Sequence, residues 1–226
     1  MPIPSKDNRA GGLHRAFCFT HASRMVYNTG VIRLVISTTL LGCLALTQAG
    51  PSVPQVAPVP YETPEAYEVY AAILPSEWSW TDAKAKRLVI RASTIHYNMC
   101  LEPDADSAKL IGSAITDYIQ QNQHPWLLQP RLKIEKPYVL LSPEQIESTF
   151  RRSPEGWEAF TQMYPDSGGI IELSAVGFNS DKTVAVVYSG HSCGSLCGGG
   201  GFSVLQRKGG KWQPLPWKGS QCMWVS

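Results

Sequence analysis

IIELSAVGFNSDKTVAVVYSGHSCGSLCGGGGFSVLQRKGGKW, residues 170–212, decides how the rest of the chain is read. Strand-like runs at 170–178, 182–190, 201–208 and 211–217 are separated by Asn179-Ser180-Asp181, a cysteine–glycine stretch and Gly209-Gly210. Short connections rich in Asn, Asp, Ser and Gly turn one strand directly into the next, so this third predicts an antiparallel β-meander. The residues before it carry mainly helical patterns. Helices segregated from a run of strands predict an α+β domain, with the helices packed on one face of the C-terminal meander.

The helices are marked by periodicity and by caps. PEAYEVYAAIL (64–74) opens with Pro and acids and places Tyr67, Tyr70, Ala71 and Leu74 on one side. In residues 106–122 the pairs Leu110/Ile111, Ala114/Ile115 and Tyr118/Ile119 recur four apart, with Asp104 or Asp106 placed to cap the first turn. Ser142-Pro143-Glu144-Gln145 is a capping box for a short helix to about Phe150. Ser153-Pro154 opens a further helix carrying Trp157, Phe160 and Tyr164, which Pro165 ends. Two earlier strands are expected at 86–94 and at 131–141, the second interrupted at Pro137.

Residues 1–49 read as a signal or leader segment. The apolar run VIRLVISTTLLGCLAL (31–46) follows Arg9, Arg15 and Arg24 and precedes small residues around Ala49. That order of basic, apolar and small residues marks secretion. Initiation at Met25 is the alternative to an unusually long leader from Met1. Leu40-Leu41-Gly42-Cys43 offers a competing reading, a lipoprotein anchored through Cys43, although the residues after Cys43 stay apolar. PSVPQVAPVP makes 50–60 a Pro-rich extended linker. Residues 61–226 are then a single α+β domain, long enough to bury one core. The expected location is extracytoplasmic, periplasmic or secreted, with a membrane involved only if Cys43 is lipidated.

Removing the leader changes the charge. Five of the 20 Lys and Arg and one of the 18 Asp and Glu lie in residues 1–49, leaving 15 basic and 17 acidic side chains in 50–226. The basic balance belongs to the leader, and nucleic acid is not an expected partner.

Gly190-His191-Ser192-Cys193-Gly194 matches the spacing of a nucleophile elbow, yet glycines rather than a helix follow, and no Asp, Glu or His occurs after Ser192. Phosphate cradles also need a helix behind the glycines. His191, Cys193 and Cys197 fit no common zinc spacing, and a redox pair needs C-x-x-C at a helix start. The simplest reading is a stapled hairpin. Cys193 and Cys197 flank three residues between two strands, where facing Cβ atoms need only modest adjustment to bond. The four cysteines of residues 50–226 allow three pairings; closing Cys193 to Cys197 leaves Cys100 to join Cys222.

The candidate ligand-site residues are His96, His191, Trp78 and Trp80, each with an ordinary structural role as the simpler alternative. Trp78 and Trp80 sit two apart, as a stacking platform would, or as core aromatics. Glu102, Asp104 and Asp106 alternate like the start of a calcium loop, but Ser107 and Ser113 occupy its glycine and glutamate positions. Glutamate pairs at 65/68, 144/147 and 155/158 lie in first helical turns, where acids suit the helix dipole. No catalytic set, metal set or cofactor motif emerges.

GWEAFTQMYPDSGGIIELSAVGF (156–178) and YSGHSCGSLCGGGGFSVLQRKGGKW (188–212) resemble a group of secreted bacterial proteins of unassigned function. The shared features are a W-x2-F-x3-YP…GGII-x-LS-x-VGF block and a C-x-x-LCG-x-G loop. The resemblance implies export and a common fold, with no activity to carry over. The expectation is an exported, disulfide-stabilised, non-catalytic binding or envelope domain with an unknown protein or small-molecule partner; the alternative is a secreted hydrolase.

Overall fold

The computed structural model describes residues 59–77, 85–151 and 156–226. The leader with Cys43, most of the linker, Trp78, Trp80 and Ser153-Pro154 lie outside the described residues. In chain order the elements are β1 (Val59–Pro60), α1 (Pro64–Glu77), β2 (Arg87–Arg91), β3 (Glu102–Pro103), α2 (Ala105–Gln121), β4 (Trp126–Leu127), β5 (Tyr138–Leu141), α3 (Pro143–Arg151), α4 (Gly156–Met163), β6 (Ser167–Leu173), β7 (Gly177–Phe178), β8 (Val184–Gly194), β9 (Cys197–Lys208), β10 (Lys211–Pro214), β11 (Gly219–Ser220) and β12 (Trp224–Val225).

Local chemistry explains the helix boundaries. Asp104 caps α2, its Oδ1 accepting from the Ser107 amide at 2.8 Å. The box before α3 is reciprocal: the Gln145 amide donates to Ser142 Oγ at 3.2 Å, and the Ser142 amide to Gln145 Oε1 at 2.8 Å. Turns are equally local. Gly209 and Gly210 take φ of +57° and +76° between β9 and β10, as a two-residue hairpin turn requires.

The main sheet runs β10-β9-β8-β6-β2-β5, with β7 and β12 pairing onto β8 and β9. The meander is its antiparallel part, and β2 lies parallel to both β5 and β6. Residues 131–137, expected to begin a strand, form none; pairing starts at Tyr138, after Pro137. The run 170–178 is split by Ser174–Val176 into β6 and β7.

Both faces of the sheet are covered. Ala185 and Val187 of β8 join the cluster under α1 with Tyr70, Leu74, Ile90, Leu173 and Leu205. The alternate residues Val186 and Tyr188 pack with Ile111, Ala114 and Tyr118 of α2. Val89 and Ile170, on that second face by register, meet Ile146 of α3 and Phe160 of α4. The α+β class therefore stands, but covering extends from the one face expected to two. The cause is visible in LVI, II and VAVV, which are apolar at successive rather than alternate positions. Burying each such Val, Leu or Ile contributes about 1.5–3 kcal/mol.

Two disulfides brace the fold, one within the β8–β9 hairpin and one between distant segments. Cys193 joins Cys197 with Cα atoms 5.0 Å apart, and Cys100 joins Cys222 at 5.9 Å across a separation of 122 residues. Among the described residues, no helix is long and apolar enough to cross a membrane.

Candidate functional site at the His96–His124 groove

The cysteine–glycine stretch is strand rather than loop. β8 and β9 pair through His191↔Gly199, Gly190↔Gly200 and Ser189↔Gly201, and the turn tightens only at Gly194↔Cys197. Ser192 thus lies within a strand, opposite Gly198, where no elbow forms. With both sulfurs bonded to each other, Cys193 and Cys197 supply neither a thiolate ligand nor a nucleophile in this state.

The glycines make room for aromatic rings. A Cβ on Gly198 would lie 3.0 Å from the Trp224 ring, and one on Gly200 would lie 2.7 Å from Trp224 Nε1. That indole donates to the Tyr188 hydroxyl at 2.6 Å. Tyr97 stacks on Tyr188 with ring centroids 3.9 Å apart. Burial raises the Tyr188 hydroxyl to about 12, so it remains protonated at neutral pH. His191 faces the α1 side and is buried, its Nε2 2.6 Å from the Gly168 carbonyl. Burial depresses its pKa, and the Gly168 contact opposes that shift.

His96 sits elsewhere, on the crossover between β2 and α2, and is exposed. Its Nδ1 lies 2.8 Å from the Asn122 carbonyl and its Nε2 3.1 Å from Asn98 Oδ1. His96, Asn122, Gln123, His124 and Pro125 line a groove of about 480 Å³. The carboxamide of buried Asn122 donates to the carbonyls of Tyr118 and Ala175 and accepts from the Ala175 amide at 2.9 Å, fixing that wall.

The two walls are also linked directly. Ser93 and Leu127 form an antiparallel bridge, and the Thr94 amide donates to the Trp126 carbonyl at 2.8 Å. The Trp126 amide in turn donates to Thr94 Oγ1 at 2.8 Å. His124 rests against Trp126 with ring centroids 4.3 Å apart.

Of the sequence candidates, the structure places His96 in the groove and His191 within the sheet, and brings them into no common site. The acidic candidates are mostly occupied. Glu65 pairs with Lys182 at 3.0 Å and Glu68 with Arg207 at 3.1 Å, while Asp104 serves as a cap. Sequence reasoning passed over Asn98 as a partner of His96 and did not bring His124 to the same groove. Their only signal is a mirrored spacing on either side of α2, His96-Tyr97-Asn98 before it and Asn122-Gln123-His124 after it.

Compared with known proteins, the chain matches no protein-family model, no curated protein and no solved structure.

Proposed function

We propose that this chain is an exported, disulfide-stabilised domain of the bacterial envelope or secretome that binds a small ligand in the His96–His124 groove. The observation that carries export is the Cys100–Cys222 bond, which joins the crossover to the C-terminal strands. Such bonds persist in oxidising compartments and are rare in reducing ones. The basic, apolar and small-residue order of residues 1–49 and the resemblance to secreted bacterial proteins support the same reading.

Binding rather than hydrolysis is favoured by the state of the candidate groups. His96 is held by a main-chain carbonyl and an asparagine, not poised against a hydroxyl or a carboxylate. Ser192 lies in a strand, and Tyr188 stays protonated. A groove of about 480 Å³ falls in the range of small-ligand sites.

Intact mass of the exported protein, unfolded with and without an alkylating reagent, tests the proposal. Cys100, Cys193, Cys197 and Cys222 should resist labelling until reduced, and the leader should be absent. Free thiols at these four positions, or a retained leader on protein from the oxidising compartment, would sink it.

A further inference from the structure

We propose that the Cys193–Cys197 bond is a reversible thiol–disulfide exchange site, opened through attack on Cys197 by a dithiol reductant and closed again while the domain stays folded. The site is independent of the His96–His124 groove.

The hairpin closes without the sulfur bond. Ser195 and Leu196 form a two-residue turn, Gly194 pairs with Cys197, and the ladder continues from Ser192↔Gly198. Cys193 is the extra residue between those two pairs, a bulge with no ladder partner of its own. Facing Cβ atoms on a ladder stand about 4.5–5.5 Å apart, against about 3.8 Å in a disulfide. The bond therefore draws the strands together where the ladder is already irregular, and opening it removes no ladder pair.

The fold also depends little on this bond. A closed loop restrains the unfolded chain less the shorter it is, and the two bonds span 4 and 122 residues. Cys222 is as exposed as Cys197, so exposure alone does not separate the bonds. Their consequences do. Losing Cys100–Cys222 loosens the C-terminal strands from the crossover, whereas losing Cys193–Cys197 frees a turn.

The two sulfurs of the tip are unlike. Cys197 is exposed together with Ser195 and with Leu196, which is 86% exposed. Cys193 is half-buried, and a Cβ on Gly169 would stand 3.0 Å from its Cα, so β6 backs it closely. On the other strand the Gly198 carbonyl accepts from the Ser226 amide at 3.1 Å. Both ends of the turn are thus held whatever the state of the sulfurs, and the thiols stay close enough to close again.

The exchange balances. A thiolate of the reductant attacks Sγ of Cys197; the S–S bond breaks with its electron pair on Sγ of Cys193, which leaves as a thiolate and is protonated. The second thiolate of the reductant attacks its own sulfur in the mixed disulfide and releases Cys197 as a thiolate, protonated in turn. The two cysteines are reduced by two electrons, and the dithiol departs as its disulfide. The pair lies between two strands rather than at a helix start, so it receives attack rather than delivering it. Strained or exposed disulfides are the labile ones, and this bond joins an exposed sulfur to a bulge.

The test starts from exported protein whose four cysteines have already proved oxidised. It is equilibrated under native conditions in mixtures of reduced and oxidised dithiothreitol, blocked with iodoacetamide and mapped by peptide mass. Cys193 and Cys197 should be half-labelled at a reduced-to-oxidised ratio at least about tenfold below that needed for Cys100 and Cys222, about 30 mV for a two-electron couple. Far-ultraviolet circular dichroism should hold through that step, and oxidised dithiothreitol should restore the bond. Labelling of all four cysteines together, of Cys100 and Cys222 first, or of the tip only as the dichroism is lost overturns the site. Cys193→Ser and Cys197→Ser each leave one tip thiol for reaction with oxidised glutathione. The Cys197 thiol should react several-fold faster than the Cys193 thiol; equal or reversed rates overturn attack through Cys197. Failure here leaves the exported domain standing, because free thiols in the starting protein would have removed that reading first.

Discussion

Trp224 Nε1 donates to the Tyr188 hydroxyl at 2.6 Å across strand β9, over a floor from which two side chains are missing. β12 is only two residues long, yet it seats an indole where Gly198 and Gly200 leave space. The C-terminal strand is thus held by a fitted ring, a hydrogen bond and the Cys100–Cys222 bond two residues before it.

Gly200→Ala should destabilise the protein by about 1–3 kcal/mol, because the new methyl overlaps both Trp224 and Tyr188. Gly112→Ala, in α2 with open space around its Cβ, should stabilise by about 0.5–1 kcal/mol. Urea midpoints of the two variants should move in opposite directions. Equal losses would mean that the floor is not fitted to Trp224.

The two disulfides should differ in effect. Chain entropy assigns about 5 kcal/mol to a loop of Cys100–Cys222 length and about 2 kcal/mol to the short Cys193–Cys197 loop. Cys100→Ser with Cys222→Ser should therefore lower the urea midpoint more than Cys193→Ser with Cys197→Ser. Hydrogen exchange should also quicken at the Ser226 amide, which donates to the Gly198 carbonyl, in the first pair only.

Acid should weaken the fold through His191. Burial keeps its folded pKa below the usual value, so the unfolded chain, titrating near 6.5, takes up the proton first. This contribution is complete above about pH 6.5 and is lost as pH falls through the depressed folded value. Urea midpoints measured from pH 7.5 to 5 should decline more steeply in the wild type than in His191→Gln. Parallel slopes would show that another group governs this range.

Asn122→Ala should cost about 1–3 kcal/mol, since it strands the buried amide of Ala175 and leaves the Ala175 carbonyl with the Ser174 hydroxyl in place of two donors. Chemical denaturation measures the loss. The adjacent groove should loosen with it, seen as exchange broadening of the His96 ring signals. A variant as stable as the wild type would show that water replaces the carboxamide.

What was legible in the sequence was local. Asp104 and the Ser142–Gln145 box act within three residues of themselves, so their hydrogen bonds were readable before any fold was known. The same holds for the Cys193–Cys197 staple, four residues apart, and for the Gly209-Gly210 turn. The Gly198–Gly200 run read as loop because glycine is a poor strand former. The ladder to β8 and the ring of Trp224, carried by β12 on the same edge of β9 as β10, make strand the better state there.

By itself, then, the sequence determined the helices and their caps, the apolar centres of the main strands, the Gly209-Gly210 turn and which cysteines were close enough to pair at once, because those outcomes depend on a few neighbouring residues. Tertiary structure alone decided that β2 lies parallel between β5 and β6, that α1 covers the opposite face from α2, and that His96 and His124 line one groove. Those relationships come from register and packing between distant segments. The continuous apolar runs LVI, II and VAVV require both sheet faces to be buried, but which segment covers which face is decided only by packing between distant parts of the chain.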